Sequence, residues 1–277
     1  MNMLVNALEL KITSIQMVST PNLNENLELA ASLIKEASDS SSKLVVLPEY
    51  FCLMGLKDTD KVNVREAVGS GPIQERLAAI AQENNIYLVA GSIPLEAQES
   101  NKVLNTSLVF NPLGEQIARY DKIHLFGFQT ETERYEESET IAPGSKPGQF
   151  QITVNGIDWR FGLSICYDLR FPELYRALGE VDCHIIPAAF TYTTGKDHWE
   201  ILLRARAIEN QCYVLTSAQG GIHINQRRTW GDSMLIDPWG QILTNLPQGE
   251  GLITGTLSKE KLNEVRSKLP ALKHRKL

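Results

Sequence analysis

Three residues with acid–base or nucleophilic side chains stand where apolar strands are expected to end. Cys166 follows the strand-like segment 160–165, Glu49 closes the apolar run 44–48, and Lys122 comes soon after another alternating segment. A thiol can attack a carbonyl carbon, a carboxylate can take the proton of that thiol, and an ammonium can stabilise the resulting oxyanion. These three side chains are therefore sufficient for hydrolysis through a covalent intermediate on sulfur.

The residues after Cys166 predict a turn that leads from a strand into a helix. Residues 171–174, Phe-Pro-Glu-Leu, place a proline in the first turn of that helix. A thiol at such a turn lies near unpaired backbone N–H groups and the positive end of the helix dipole, so we expect the thiolate to be favoured. Cys52, Cys183 and Cys212 lie within apolar segments and are expected to be packed in the interior. Cys166 is therefore the candidate nucleophile.

The bulk composition limits the classes of protein to consider. A length of 277 residues is enough for one large α/β domain, which we expect to span residues 1–277. A net charge of −6 favours neither nucleic acid nor an anionic membrane as partner. The four cysteines form no CxxC pair and the histidines lack metal-ligand spacing, so no disulfide framework or metal site is expected. Without a basic leader or a membrane-length apolar run, the expected location is cytoplasmic.

The elements that must position the candidate residues alternate between strands and helices. Strand-like segments surround each candidate, and hairpins are expected to turn at residues 111–114 and 155–156. Helices are predicted over 23–37, 72–85, 171–178, 197–210 and 259–269. This pattern predicts an α/β domain with its strands between helix layers. The strand ends that carry Glu49, Lys122 and Cys166 could then meet at one rim of a sheet.

Several segments resemble the signature of the nitrilase superfamily, also called the carbon–nitrogen hydrolases. The three signature segments are Leu-Pro-Glu at 47–49, Asp-Lys-Ile-His-Leu-Phe at 121–126 and Ser-Ile-Cys-Tyr-Asp-Leu-Arg-Phe-Pro-Glu-Leu at 164–174. They occur in the order typical of the superfamily, and segments 197–200, 204–210 and 237–240 extend the resemblance over nearly the whole chain. The resemblance implies a four-layer α-β-β-α sandwich.

The same resemblance implies a role for each candidate. Glu49 would be the general base, Cys166 the nucleophile, and Lys122 a stabiliser of the tetrahedral oxyanion. The backbone N–H of Tyr167 would be the second oxyanion donor. The expected reaction is hydrolysis of a linear amide through a thioester intermediate, with no metal or organic cofactor.

The resemblance also implies a further glutamate and an assembly. Members similar to this chain read Glu-Ser shortly before Pro-Gly, and Glu137 matches that position ahead of residues 143–144. Glu136 is adjacent, so the choice between these two glutamates stays open. A homodimer or a higher homo-oligomer is expected.

Segments 170–174 and 190–195 are similar to the Nit branch of the superfamily. That branch implies a small anionic amide with an α-keto acid at its acyl end. Deaminated glutathione, cleaved to 2-oxoglutarate and cysteinylglycine, is the expected substrate, and α-ketoglutaramate or another small ω-amide is the alternative.

An anionic substrate requires a cation near the nucleophile. Arg170 is the candidate for this contact, and the hydroxyls of Thr191 and Thr194 could assist. An ion pair of Arg170 with Asp168 or Glu173 is an equally open interpretation. The adjacent arginines at 227–228 are interpreted as solvated loop charges, although they could reach a longer substrate.

Three other classes of function remain to be separated from an amidase. A Cys–His hydrolase would pair Cys166 with His184 or His198, but it would leave Glu49 and Lys122 unexplained. A thiol redox sensor would use a second cysteine to resolve an oxidised Cys166. A binding protein would keep the fold without turnover. Release of an acid and an amine from an amide distinguishes the hydrolase from the last two.

Overall fold

The computed structural model describes residues 8–131 and 134–276, so residues 1–7, 132–133 and 277 of the expected domain lie outside the description. The first eight strands along the chain are β1 (Glu9–Gln16), β2 (Leu44–Val46), β3 (Tyr87–Val89), β4 (Ile93–Glu96), β5 (Val103–Phe110), β6 (Gln116–Asp121), β7 (Gly127–Gln129) and β8 (Arg134–Glu136). The later strands are β9 (Ile141–Ala142), β10 (Gly148–Val154), β11 (Ile157–Leu163), β12 (Cys183–Ala188), β13 (Tyr213–Ala218), β14 (Ser233–Ile236), β15 (Ile242–Leu246) and β16 (Gly251–Ser258).

The helices lie between these strands. They are α1 (Leu23–Asp39), α2 (Asp60–Asn63), α3 (Pro72–Glu83), α4 (Pro172–Ala177), α5 (Tyr192–Asn210) and α6 (Lys259–Lys268). Short 3-10 turns cover Glu137–Glu139, Cys166–Arg170 and Ala271–His274. Asn22 caps α1, because its side chain accepts hydrogen bonds from the N–H groups of Asn24 and Glu25.

The strands form two large sheets. The first has eight strands in the order β16-β1-β2-β3-β5-β4, with β6 and β9 also paired to β5. The second has six strands in the order β10 to β15. β1, β2 and β3 run parallel to one another, as do β11, β12 and β13, while the outer pairs are mainly antiparallel. A small separate ribbon joins β7 to β8.

Side chains alternate along the strands because successive residues point to opposite faces. In β1, Leu10 and Ile12 belong to the core shared with the second sheet, whereas Ile15 packs with the apolar faces of α1 and α3. On the far side, Trp199 and Leu203 of α5 join the core with the second sheet. The layers are therefore helix, sheet, sheet, helix, and the expected α-β-β-α sandwich is confirmed.

Several elements differ from the sequence prediction, among them the short helix α2 and the strands β4, β7, β8 and β9, which were not predicted, and two of the differences have a local cause. The helix predicted from residue 197 begins at Tyr192, because Gly195 allows the first turns to approach Trp230; a Cβ at Gly195 would lie 2.4 Å from the Trp230 Cβ. The strand β16 was not predicted, although it pairs with all of β1. Its glycines and threonines give little apolar alternation.

Buried hydroxyl groups join the two sheets near their centre. The Oγ of Ser217 donates to the carbonyl oxygens of Ile15, at 2.5 Å, and Val46, at 3.2 Å. The Oγ of Ser14 donates in the opposite direction to the carbonyl of Thr216, at 2.5 Å. These contacts fix the spacing of β1 and β2 against β13. Among the described helices, none combines the length and the apolar composition needed to cross a bilayer.

Replacing Ser217 by alanine should reduce the free energy of unfolding by about 1–3 kcal/mol, because the hydroxyl contacts of two buried carbonyl groups are lost. Urea denaturation measures this change. Ser267→Ala is the matched control, since Ser267 is exposed on α6 and bonds only to a neighbouring carbonyl of the same helix. Equal stability of both variants would contradict a structural role for the Ser217 hydroxyl.

Candidate active site

The candidate triad is assembled from both sheets. Glu49 follows β2 and Lys122 follows β6, which belong to the first sheet, whereas Cys166 follows β11 of the second. The prediction that the three strand ends meet at one rim of a single sheet is therefore wrong. The residues meet instead where two facing sheets bring their strand ends together.

Glu49 is buried and has a defined partner at each oxygen. Its Oε1 accepts hydrogen bonds from Lys122 Nζ and Asn105 Nδ2, both at 2.9 Å. Its Oε2 accepts one from the backbone N–H of Ala189, at 2.8 Å. Because Ala189 follows β12, this carboxylate connects the two sheets. A Cβ on Gly91 would lie 2.0 Å from the carbonyl oxygen of Pro48, so only glycine permits this chain path beside Glu49.

Lys122 is fully buried, and its ammonium lies between two carboxylates. Nζ is 2.9 Å from Glu49 Oε1, and 3.0 and 2.8 Å from the two oxygens of Glu137. Two hydrogen bonds hold the backbone of Lys122. The N–H of Lys122 donates to the carbonyl of Asn105, and the N–H of Gly144 donates to the carbonyl of Lys122. Burial alone would lower the pKa of Lys122, but the charges of Glu137 and Glu49 outweigh burial and raise it.

Glu137, rather than Glu136, faces the site. In addition to Lys122, Glu137 accepts hydrogen bonds from the Tyr50 hydroxyl and the Phe126 N–H, both at 2.8 Å. Burial would raise the pKa of Glu137, but the charge and hydrogen bond of Lys122 hold it below its usual value. Glu136 is exposed and contacts the Ser138 hydroxyl. The alternative left open by the sequence is thereby decided in favour of Glu137 as the neighbour of Lys122.

Cys166 occupies a sharp backbone turn. Its φ of 51° lies in the left-handed region, which costs a residue other than glycine about 1–3 kcal/mol and requires support from its surroundings. Asp168, fully buried, supplies that support by accepting from the Ile165 N–H at 2.9 Å and the Tyr120 hydroxyl at 2.7 Å. Asp168 also accepts from the N–H and Nδ1 of His124, so it ties the cysteine turn to the segment that carries Lys122.

The prediction that the turn favours a thiolate is wrong. Burial and the carboxylate of Glu49 raise the pKa of the Cys166 thiol well above its ordinary value, and the charge of Lys122 opposes them only in part. Cys166 begins a 3-10 turn that ends at Arg170, before α4 begins at Pro172, so the dipole of α4 acts from a distance. In the resting site the proton therefore stays on sulfur. Burial also raises the pKa of Cys52 and Cys212 to about 12, as expected for packed thiols.

The inner pocket is the cavity lined by Cys166, Glu137, Phe190, Thr191, Thr194 and Arg227. The structure thus places both predicted threonines beside the nucleophile, with their hydroxyl oxygens 2.8 Å apart. Arg170 lies further away, with its guanidinium 5.7 Å from the Tyr167 ring and 5.2 Å from the Phe190 ring. An ion pair of Arg170 with Asp168 is not formed, because the carboxylate of Asp168 is occupied by other donors.

Arg227 is the residue whose sequence interpretation changes most. It is not a solvated loop charge, because it lines the inner pocket. Burial alone would lower the pKa of Arg227, but the neighbouring Tyr50 and Glu49 outweigh burial and raise it. Its neighbour Arg228 is exposed and stacks on Tyr192, with the guanidinium carbon 3.3 Å from the ring centroid. A loop sequence with two adjacent arginines gives no signal that distinguishes the arginine that lines the pocket from its exposed neighbour.

Three further site residues were missed by the sequence analysis. Asn105 begins a polar Asn-Thr-Ser run in the middle of β5, between apolar residues, which is a usable signal for a buried polar role. Tyr50 follows Glu49 directly, and Tyr120 is the next-to-last residue of β6, but their hydroxyl partners are distant in sequence. Such long-range pairing carries no local pattern.

The alternative cysteine–histidine pair is not formed. His184 packs edge-on against Tyr175, and burial lowers its pKa to about 3, so it stays neutral. His198 contacts Arg170, at 3.2 Å from its Nδ1. Within the described residues, the groups that act electrostatically on Cys166 are Glu49, Lys122 and Glu137.

Replacing Glu49 by glutamine should lower the pH midpoint at which iodoacetamide alkylates Cys166, because a negative charge that raises the thiol pKa is removed. Lys122→Met should shift the midpoint upward, because a charge that stabilises the thiolate is lost. The alkylation rate is measured against pH, with the modified cysteine identified by mass spectrometry and Cys166→Ala as control. A midpoint that rises in Glu49→Gln would show that the assigned electrostatics are wrong.

Comparisons with known proteins agree with this geometry. The family described as carbon–nitrogen hydrolase matches residues 11–267. A deaminated glutathione amidase of Synechocystis is 42% identical over 267 residues, which cover 95% of this chain and 96% of that protein. The omega-amidase NIT2 of Xenopus tropicalis is 35% identical over 269 residues, covering 96% of this chain and 95% of that one.

A solved structure shows the same fold. Nit3 of Saccharomyces cerevisiae, a member of branch 10 of the nitrilase superfamily, superposes with a TM-score of 0.83 and is 32% identical, with 97% of each chain covered. The nitrilase resemblance and its Nit branch are confirmed. This chain belongs to the carbon–nitrogen hydrolase family.

Proposed function

We propose that this enzyme hydrolyses the amide of deaminated glutathione to 2-oxoglutarate and cysteinylglycine, through a thioester on Cys166. The observation that carries the proposal is the buried ammonium of Lys122, held between Glu49 and Glu137 beside the nucleophile. The relatives named for this substrate are similar to this chain over nearly its whole length, which supports the choice of substrate.

Glu49 is the general base of the first step. In the resting site the thiol is neutral, while Glu49 accepts three hydrogen bonds typical of a carboxylate. Transfer of the thiol proton to Glu49 moves a negative charge from carboxylate to sulfur. Since the pair keeps its total charge, burial does not have to accommodate an additional ion during the transfer.

The thiolate then attacks the amide carbonyl, and a C–S bond forms as the C=O π electrons move onto oxygen. Lys122 Nζ and the N–H of Tyr167 stabilise this oxyanion. Tyr167 is the second residue of the 3-10 turn, a position whose N–H has no partner within the turn. Because both donors are held by the fold, they need little reorganisation as charge develops.

Collapse of the intermediate breaks the C–N bond and releases the amine. Protonated Glu49 gives its proton to the leaving nitrogen, which leaves a thioester and a carboxylate. The carboxylate then takes a proton from water, and the hydroxide attacks the thioester to release the acid. Glu137 acts on Lys122 throughout, because its two oxygens fix the ammonium and its own position is fixed by Tyr50 and Phe126.

The acyl end of the substrate is assigned to the part of the inner pocket formed by Phe190, Thr191 and Thr194. The threonine hydroxyls can donate to the keto oxygen or the carboxylate of a 2-oxo acid. Arg170 lies beyond the rings of Tyr167 and Phe190, where it supplies a positive charge for the far carboxylate.

The proposed function is tested by comparing turnover of deaminated glutathione, α-ketoglutaramate, asparagine and a simple nitrile. We expect the highest kcat/KM for deaminated glutathione, measured as released cysteinylglycine and 2-oxoglutarate. A higher kcat/KM for α-ketoglutaramate would assign the enzyme as an ω-amidase instead. Exclusive turnover of the nitrile would overturn both assignments.

Variants of the triad are part of the same test. Cys166→Ala and Glu49→Gln should each abolish turnover while the far-UV circular dichroism stays native, because both change a reacting group without changing the fold. Cys212→Ala is the matched control, since Cys212 is a buried thiol outside the inner pocket, and it should retain activity. Substantial turnover by Glu49→Gln would refute the role of general base.

The proposed enzyme is a homodimer or larger homo-oligomer in the cytoplasm, with residues 1–277 acting as one hydrolase domain. Ile201 and Ile208, seven residues apart on α5, are exposed together with Trp239, and such an apolar patch is typical of a protein interface. All four cysteines are unpaired thiols, which suits a reducing compartment.

Light scattering should give the mass of at least two chains for the wild type, and Ile201→Glu with Ile208→Glu should lower it. Glu28→Gln, an exposed change on α1, is the control and should leave the mass unchanged. A wild-type protein that is monomeric at micromolar concentration would reject this assembly.

A further inference from the structure

An outer cleft leads from the surface toward the inner pocket. It has a volume of about 400 Å³ and is lined by residues that include Tyr50, Lys57, Lys61, Arg134, Asn225 and Arg227. A narrower cavity between them shares Tyr50, Lys61 and Arg227 with the outer cleft, and Glu137 and Arg227 with the inner pocket. Arg227 lines all three spaces, so the path from solvent to Cys166 passes its guanidinium.

Arg227 has hydrogen-bonding capacity that the fold does not use. One guanidinium nitrogen, Nη2, donates to the carbonyl of Ala189 at 3.2 Å, and the guanidinium carbon lies 5.4 Å from the centroid of the Tyr135 ring. Its Nε is shielded from solvent and has no hydrogen-bond partner among the described residues. A shielded donor on a charged group is costly unless an acceptor is supplied, and an anionic ligand in the cleft would supply one.

Lys61 places a second cation in the same cleft. Its Nζ lies 3.3 Å from the Thr140 hydroxyl and 5.5 Å from the centroid of the Tyr50 ring. Burial lowers the pKa of Lys61, the charges of Glu137 and Asp58 raise it, and Arg227 lowers it further. The two cations repel each other, and the carboxylates of Glu137 and Asp58, which line the narrower cavity with them, offset this repulsion in part.

The other charges of the cleft do not cancel this excess. Asp58 is an exposed carboxylate at the rim. Arg134 lines the cleft, but its charge is paired with Glu139, which lies 2.7 Å away and is not a lining residue. The positive side chains of Lys57, Lys61 and Arg227 thus outnumber the one lining carboxylate.

The position of Glu49 indicates which part of a substrate enters this cleft. Glu49 donates its proton to the leaving nitrogen, so the amine must leave on the side of Glu49. Tyr50, the next residue, lines the outer cleft, whereas Thr191 and Thr194 lie in the inner pocket away from it. With Glu49 as the proton donor, this arrangement would direct the leaving amine toward Arg227 and Lys61.

We propose that Arg227 and Lys61 form a subsite for a carboxylate carried by the leaving amine. The subsite makes the enzyme prefer amides whose amine part is an anionic peptide over primary amides that release ammonia. This inference rests on the proposed function, because it assigns the cysteinylglycine part of the substrate to the outer cleft. Arg170 and the threonines keep the acyl part, so the two anionic ends of the substrate have separate partners.

The test compares two substrates that share the acyl group and differ in the amine. Arg227→Ala should lower kcat/KM for deaminated glutathione about tenfold to a hundredfold, the effect of a lost charge-assisted hydrogen bond. It should lower kcat/KM for α-ketoglutaramate clearly less, so that the ratio of the two values falls about tenfold, because ammonia carries no carboxylate. Lys61→Met should act in the same direction, and Arg228→Ala, the exposed neighbour, should leave both values unchanged.

Binding gives a readout independent of turnover. In a Cys166→Ala background, calorimetry compares deaminated glutathione with its analogue in which the glycine carboxylate is an amide. The analogue should bind about tenfold more weakly, and adding Arg227→Ala should abolish the difference. Far-UV circular dichroism and thermal melting confirm that each variant is folded.

The outcomes separate this inference from the proposed function. Equal losses on both substrates in Arg227→Ala, or a carboxylate preference that persists in that variant, would overturn the subsite while the function stands. A wild-type enzyme that does not hydrolyse deaminated glutathione would overturn the proposed function and the subsite with it.

Discussion

The buried ammonium of Lys122 is the interaction on which the rest of the site depends. A lone charge at this depth would be far too costly, and so would either carboxylate alone. Glu49 and Glu137 each contact the ammonium, and each is held in turn by neutral donors from other elements: Asn105, Ala189, Tyr50 and Phe126. Removing Lys122 would leave two unpaired carboxylates in the interior, whereas removing either glutamate would still leave one ion pair. The ammonium is therefore the member of this cluster on which the other two depend.

The second constraint is the turn that carries the nucleophile. Asp168 connects this turn to Tyr120 and His124, which flank Lys122 along the chain. One buried carboxylate thus sets the position of sulfur relative to the ammonium. Burial and the charge of Glu49 raise the pKa of the Cys166 thiol, so the proposed mechanism requires Glu49 to take its proton.

Local patterns predicted most of the helices and the candidate triad, and the resemblance to the nitrilase superfamily implied the sandwich. Glu49, Lys122 and Cys166 follow strand-like segments, and their order matches a known family. Features that depend on contacts between residues far apart along the chain could not be predicted from the sequence. The strand β16 lacks alternation, Asn105 bonds to Glu49 far along the chain, and the position of Arg227 in the pocket depends on contacts with Ala189 and Tyr135. The expected thiolate failed for the same reason, since the pKa of Cys166 depends on burial and on Glu49.

The serine contacts between the sheets have a consequence for how such an enzyme can change. Base and nucleophile sit on opposite sheets, so the gap between them is an intersheet distance. Ser14 and Ser217 keep that distance short because small hydroxyl side chains reach the backbone opposite. A bulkier side chain at either position would push the sheets apart and so increase the distance between Cys166 and Glu49 without contacting either residue. Substitutions between the sheets can thus change the distance between the proposed base and nucleophile without altering a residue of the inner pocket.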